Sequence, residues 1–600
     1  MQQNHTIRAR SEVDSQDKWA INDIFATDDA WRAELARAKS YTQQAACYRG
    51  RLSESGKTLL EFLELDDEIS LAVDALANYA QRRSDEDTRV AAYQEMTAQV
   101  TRFVVELQSA TAFETPELMA IDEGVLEQFY QEVPELERYR LSLNRIRRRR
   151  AHVLSDKEEA LLAAAGEMAQ SPDEIFSMLN DADMRFDDAT DAEGKQHPVT
   201  HGTYIPLMQS ADRVLRKAAF ESLYREYEQF RNTSAAVLAS QMKQLLFFAQ
   251  TRHYATTLDA ALDGTEVPVE IYHNLIETVH QNMAPMHRYA GLRRRLLGLD
   301  GLHMYDLFVP VVKDVEMTFT FEQAKELALK ALAPLGKEYG AILREGFNKG
   351  WIDVYENQGK RSGAYSSGAR VHPFVLLNFN GTLDDVFTLV HEMGHAIHSY
   401  LSNKTQPTVY SDYVIFVAEV ASTCNEALLM QHLLSVTKDQ RTRAYLINHF
   451  LEQFRGTLYR QTMFAEFELA VNEMAQRGEG ITADALCALY RKLNVQYYGP
   501  DMIVDEQIAV EWARIPHFYY NYYVYQYATG YAAAIALSTR ILQEDESGVK
   551  DYLHFLSGGC STDPITLLRG AGVDMSTPTP ISNAITLFNQ LLDEMESLLV

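Results

Sequence analysis

Apolar residues along this 600-residue chain recur mostly at spacings of three and four, the period that gathers them on one face of a helix. The tracts Leu59 to Ala110 and Ala218 to Arg252 hold that pattern without a glycine or proline, so both predict long helical stretches. Ser155 followed by Glu158 has capping-box spacing and predicts another helix start ahead of Ala160 to Ala169. Two stretches break the pattern. Between Met184 and Met208, alternating residues flank Asp191-Ala192-Glu193-Gly194-Lys195, which reads as a turn between two strands. From Gly363 to Gly381, a start rich in glycine and serine runs into His372-Pro373-Phe374-Val375-Leu376-Leu377-Asn378-Phe379. That apolar, aromatic run reads as a buried or edge strand, whose backbone could pair with an extended peptide.

The expected fold is therefore mainly α, with a small β-sheet. The length exceeds what one compact core usually holds, and the first break suggests a boundary near residue 200, dividing 1–200 from 201–600. Composition changes this picture little. Hydrophobic residues make up 46% and charged residues 23%, ordinary for a soluble globular protein. The formal net charge of −28 argues against a nucleic-acid partner, which usually calls for a basic stripe. The run Arg145 to Arg150 reads instead as a solvated, ion-paired helix face. Cys47, Cys424, Cys487 and Cys560 show no paired spacing, which favours a reducing compartment. Met1 to Lys18 has no apolar core of a secretory signal, and no window approaches the length of a membrane span. The expected location is the cytoplasm, with no membrane partner.

Candidate chemistry sits on Thr382 to Leu401, which has the marks of one helix. Thr382 can cap it, Asp384 and Asp385 suit its positive end, and Val386, Phe387, Leu389 and Val390 bury it. Within it, His391-Glu392-Met393-Gly394-His395 places two imidazoles one turn apart on the same face, where they can grip one zinc ion. Glu392 stands beside the first imidazole and can reach a metal-bound water without being a ligand. A catalytic zinc usually takes three protein ligands. His398 is one candidate, but a metzincin-type stretch needs glycine at 398 and histidine at 401, where this chain has His398 and Leu401. Glu419 is the better candidate. It lies in Phe416-Val417-Ala418-Glu419-Val420-Ala421, on a second predicted helix capped by Ser411 and running from about Tyr413 to Ser435, and a carboxylate among such neighbours needs a partner. Glu426, two turns on, could hydrogen-bond a ligating histidine. Zinc there would polarise a peptide carbonyl and activate water, with Glu392 as general base. Donors to the resulting oxyanion could come from His517-Phe518-Tyr519-Tyr520-Asn521-Tyr522-Tyr523-Val524-Tyr525-Gln526-Tyr527, since so many phenols are hard to bury with every hydroxyl satisfied.

These residues resemble the thimet oligopeptidase-like metallopeptidases of family M3, and specifically the oligoendopeptidase F branch. The resemblance rests on His391 to His398, Phe416 to Ser422 and His517 to Gly530, with lesser matches at Asn378 to Thr382 and Gly558 to Asp574. It runs from the Lys18-Trp19 region nearly to the end and is most specific after residue 360. It implies a two-lobed, largely helical body around a deep channel, with an N-terminal helical lobe at 1–200 and a zinc peptidase domain at 201–600. It further implies one Zn2+ per chain on His391, His395 and Glu419, Glu392 as base, Glu426 supporting a ligand, and short oligopeptides cut at internal bonds. Oxyanion donors carry over to His517 and to some of Tyr520, Tyr522 and Tyr525. Thimet-type members place a glycine-rich loop between that histidine and the tyrosines, whereas aromatic residues follow directly here. Two rivals share the core motif or scaffold: a carboxypeptidase-like zinc exopeptidase, and a catalytically silent peptide-binding protein, against which the intact Glu392 counts. No sequence feature fixes oligomeric state.

Overall fold

The computed structural model of the protein describes residues 7–312, 315, 317–543 and 545–599; Met1 to Thr6, part of the segment read above for a leader, lies outside the described residues. The fold is mainly α. Two compact units account for it, and both are assembled from three chain segments. The first comprises Met1–Ala151, Met317–His432 and Leu537–Gly572; the second comprises His152–Glu316, Leu433–Ala536 and Val573–Val600. Residue 200, where the sequence suggested a boundary, falls inside a segment of the second unit. Among the described residues no helix is long and apolar enough to cross a membrane, and none of the four cysteines is paired in a disulfide with another.

The long helical tracts form as expected, but each is broken once. Leu59 to Ala110 becomes α1 (Gly56–Glu86) and α2 (Ala91–Thr111). The break falls in the polar run around Asp87, which is extended and whose carboxylate accepts from the Arg89 N–H. Ser155 and Glu158 make the predicted capping box of α3 (Asp156–Ser177). Strands β1 (Ala189–Thr190) and β2 (Gln196–His197) pair across the predicted turn, but a helix capped by Thr200 takes over at His201. The tract Ala218 to Arg252 lies in α4 (Arg213–Gln229) and α5 (Arg231–Thr251). Three arginines of the basic run hold main-chain carbonyls: Arg145, Arg147 and Arg150 donate to those of Cys560, Ile121 and Met119.

In the first unit, β3 (Ile352–Asp353), β4 (Tyr365–Ser367) and β5 (Phe374–Leu376) form a sheet ordered β3-β5-β4. Strand β5 is parallel to β3 and antiparallel to β4, with Ser366 opposite Val375. It is fully buried, and Phe374 meets the Trp19 ring edge-on at 6.0 Å. Its central position corrects one expectation. The backbone at Phe374 to Phe379 is already committed, for example by Val375 N–H to the Trp351 carbonyl at 2.7 Å and Leu377 N–H to that of Asp353 at 2.8 Å. The two edges of this sheet are β3, which is buried, and β4, which is partly exposed. The chain leaving β4 runs so close to the motif helix that a Cβ added at Gly368 would lie 2.6 Å from the Ser399 Cβ.

Buried charge anchors this sheet. Asp353 of β3 accepts from Arg10 at 2.8 Å and pairs with the buried Lys360 ammonium at 2.8 Å. Burial alone would raise its carboxyl, yet these two cations hold it below the usual carboxylate range. Three Lys360 hydrogen bonds to main-chain carbonyls, at Asp353, Tyr355 and Leu377, knit the same region.

Candidate metal centre

The motif helix, α6 (Leu383–Thr405), begins as its sequence predicts. The Thr382 hydroxyl accepts from the Asp385 N–H at 3.1 Å, and the Asp385 carboxylate accepts from the Thr382 N–H at 2.9 Å. Such a cap is worth about 1 kcal/mol. Val386, Phe387, Leu389, Val390, Met393, Ala396 and Ile397 are buried, so the helix is held by an apolar face while His391 and His395 remain partly exposed.

The second helix, α7 (Ile415–Val436), starts later than expected. Ser411 does not cap it; its hydroxyl instead accepts from Arg370 and donates to the Thr408 carbonyl. Glu419 therefore lies in the second turn of α7. Helices α6 and α7 approach each other at Gly394. A Cβ there would lie 2.6 Å from Ser422 Cα and 2.9 Å from the Ala421 carbonyl oxygen, distances that no side chain tolerates. Asn425 fixes the same crossing, donating to the Val390 carbonyl at 2.9 Å while accepting from the Tyr339 hydroxyl at 2.9 Å. Sequence reasoning passed over Gly394, Ser422 and Asn425. The available signal was a glycine in mid-helix, which costs helix stability and so asks for a packing reason.

This crossing gathers His391, His395 and Glu419 into the group of potential metal-holding side chains found among the described residues. His391 Nε2 and His395 Nε2 are 3.2 Å apart, and Glu419 Oε2 lies 3.4 and 3.5 Å from them. A tetrahedral site with bonds of about 2.0–2.1 Å has ligand–ligand edges of roughly 3.4 Å. The three donors thus form one face of such a tetrahedron, and the residues present fit a divalent cation of zinc's kind. His391 Nδ1 donates to Glu426 Oε1 at 2.5 Å, which turns Nε2 toward the other donors. The Ser422 hydroxyl donates to Glu419 Oε2 at 3.1 Å.

Electrostatics separates the carboxylates. Burial works to raise Glu419, but the hydrogen bond to His395 and the charges of His395 and His391 win and hold it at about 2. Burial works to lower His391, but the Glu426 hydrogen bond and the surrounding carboxylates lift it to about 9. A proton and a cation therefore compete for this imidazole. Glu392 is only 7% exposed, and burial raises its carboxyl although His391 and His395 oppose this. His398 is fully buried, stacked on Tyr413 at 3.7 Å, and held near 3 by burial and the His395 charge. It packs; it is not among the gathered donors.

The tyrosine tract belongs to the second unit and is not one helix. A short turn at Pro516–Tyr519 is followed by irregular chain, and α9 (Tyr525–Gln543) then begins. His517 lies with Tyr520, Tyr523 and Tyr527, at ring separations of 5.6, 6.3 and 6.0 Å. Tyr520 is 50% exposed, and burial lowers the His517 imidazole. Tyr525 is not with them: it is buried against Tyr272 at 5.0 Å. Tyr523 and Tyr527, which spacing alone did not single out, take its place in the cluster.

Gly394→Ala should drive the two helices apart at the metal centre. Its expected outcome is a loss of about 1–3 kcal/mol of stability together with loss of bound divalent metal. Thermal unfolding and metal analysis of the purified variant check this; a metal-loaded variant of unchanged stability would contradict the close-contact account.

Comparison with known proteins identifies the family. The model of peptidase family M3 matches residues 206–587, and that named Oligopeptidase F matches residues 117–186. Oligopeptidase PepF of Bacillus subtilis is 46% identical over 592 residues, which is 98% of this chain and 88% of that one. The crystal structure of a putative peptidase from Chlamydophila abortus is 36% identical and superposes with a TM-score of 0.93, covering 99% of this chain and 100% of that one. Oligoendopeptidase-F from Enterococcus faecium is also 36% identical, with a TM-score of 0.74 over 95% of this chain and 99% of that one. The chain belongs to peptidase family M3, as a metallo-oligopeptidase of the oligopeptidase F kind.

Proposed function

We propose that the protein is a zinc-dependent endopeptidase that hydrolyses internal bonds of short oligopeptides, with one zinc per chain held by His391, His395 and Glu419. The observation that carries this reading is the triangle of 3.2, 3.4 and 3.5 Å between the three donor atoms. Two imidazoles and one carboxylate are a donor set suited to catalytic zinc, with a fourth position left for water or substrate. Zinc bound there would supply a Lewis acid for the peptide carbonyl and lower the pKa of water.

The chain's own residues then divide the work. Glu426 holds His391 in the tautomer whose Nε2 is a ligand. Glu392, raised by burial, takes a proton from the attacking water and passes it to the leaving amine nitrogen. An extended peptide pairs with the edge strand β4, because β5 has both neighbours already. Oxyanion donation falls to the tyrosine tract, where chemistry and the family resemblance favour His517 and Tyr520. The partly exposed Tyr523 and Tyr527 join them, whereas the burial of Tyr525 makes it less suited to meet a substrate. Internal-bond cleavage is supported by the names of the relatives that are called oligoendopeptidases. Four cysteines without a disulfide between them favour work in a reducing compartment, and we assign the protein to the cytoplasm.

Two measurements test the reading. Glu392→Gln should keep one zinc per chain and lose at least about 100-fold in kcat; near-normal turnover would remove Glu392 as the base. Fluorescence-quenched peptides blocked at both ends should be cut by the zinc-loaded protein. Sparing them, while trimming the unblocked forms, would make it an exopeptidase.

A further inference from the structure

The tyrosine tract is held from within its unit by α8 (Arg460–Gln476). Phe518 packs against Phe464 and Phe467, at ring separations of 5.7 and 5.1 Å. Four residues later, the Tyr522 main-chain N–H donates to Glu468 Oε1 at 2.6 Å. The Tyr522 hydroxyl shares a hydrogen bond with Thr257 Oγ1 at 2.8 Å, and its ring meets Tyr272 edge-on at 5.6 Å. Between these anchors the backbone makes an unusual turn. Asn521 and Tyr522 both adopt left-handed conformations, with φ of 55° and 56°. Asparagine tolerates that region, but a bulky aromatic residue does so only when its surroundings impose it.

Glu468 is 1% exposed, and its second carboxylate oxygen has no hydrogen-bond partner among the described residues. Burial pushes its carboxyl up to about 8, against the pull of the Tyr522 amide. A side chain of this kind is costly in a protein interior unless it satisfies a donor that would otherwise be orphaned. Here that donor is the amide exposed by the left-handed turn. The consequence is a fixed division of the tract. Phe518, Tyr522 and Tyr525 turn inward, while His517, Tyr520, Tyr523 and Tyr527 stay on the open side.

We propose that Glu468 is a positioning residue for catalysis: by accepting the Tyr522 amide it locks the left-handed turn at 521–522 and so sets the orientation of the His517, Tyr520, Tyr523 and Tyr527 cluster. The catalytic consequence rests on the reading that this cluster donates to the oxyanion. Glu468 itself touches neither substrate nor metal. Its effect is to place other groups.

The test compares Glu468→Ala with Glu468→Gln in the zinc-loaded, full-length protein. Glutamine keeps an oxygen that can accept the same N–H, so Glu468→Gln should stay within about threefold of the parent kcat, whereas Glu468→Ala should lose about ten- to hundredfold. KM should change less than kcat, and zinc content should not change. A second readout follows the turn without using activity. With 3-fluorotyrosine at position 523, the parent and Glu468→Gln should share one fluorine resonance, and Glu468→Ala should shift or broaden it. An unmoved resonance, or equal loss in the alanine and glutamine variants, would overturn the proposal. If Glu468→Ala fails to fold, the exposed Asn521 gives the same answer. Asn521→Val, which resists a left-handed backbone, should lose about tenfold in kcat while Asn521→Gly keeps it; equal activity would overturn the proposal. If His517→Gln and Tyr523→Phe both leave kcat intact, the oxyanion reading falls instead, and the fluorine resonance still decides whether Glu468 sets the turn.

Discussion

The contact on which the site depends is the crossing of α6 and α7 at Gly394, where the space for a Cβ is already occupied by the backbone of Ser422 and Ala421. Only a residue without a side chain allows this approach, and glycine costs about 1 kcal/mol of helix propensity relative to alanine. In return, Glu419 comes within 3.4 and 3.5 Å of two imidazole nitrogens on the neighbouring helix. Asn425 locks the crossing by bonding the carbonyl of Val390, immediately before the first histidine. Packing, rather than the histidine spacing alone, converts a sequence motif into a three-donor centre.

The same crossing sets the charges. Buried carboxylates are costly unless paired, and here the pairing is unequal. Glu419 faces both histidines and stays ionised to about pH 2. Glu392 is buried with less help and is pushed upward. Glu426 binds the far nitrogen of His391 and lifts that imidazole to about 9 in the metal-free protein. Three glutamates within one small region thus receive different electrostatic environments, a pattern general to acid–base sites.

Much of this was legible in the sequence because the signals are local. The cap at Thr382, the apolar face of α6, the one-turn spacing of His391 and His395, and the anomalous carboxylate at Glu419 are all read within a few residues. What escaped was non-local. Strand β5 looks like a possible edge in sequence, and only pairing with β3 and β4 makes it central. Ser411 has the chemistry of a helix cap, but Arg370 claims its hydroxyl. The two-part division of the chain interleaves segments far apart in sequence, which no single boundary can express. The tyrosine tract shows the limit most clearly. Its composition suggested one functional face, yet Glu468, 54 residues away in sequence, imposes a turn that sends Tyr525 inward and brings Tyr523 and Tyr527 to the side of His517.

Glu419, and not His398, is the third donor proposed for the metal centre. Zinc stoichiometry of the purified Glu419→Ala and His398→Phe variants, measured side by side after exhaustive dialysis, tests it most directly. Glu419→Ala should fall well below one zinc per chain, while His398→Phe, which keeps an aromatic ring stacked on Tyr413, should retain one. A fully loaded Glu419→Ala protein, or a zinc-free and folded His398→Phe protein, would contradict it.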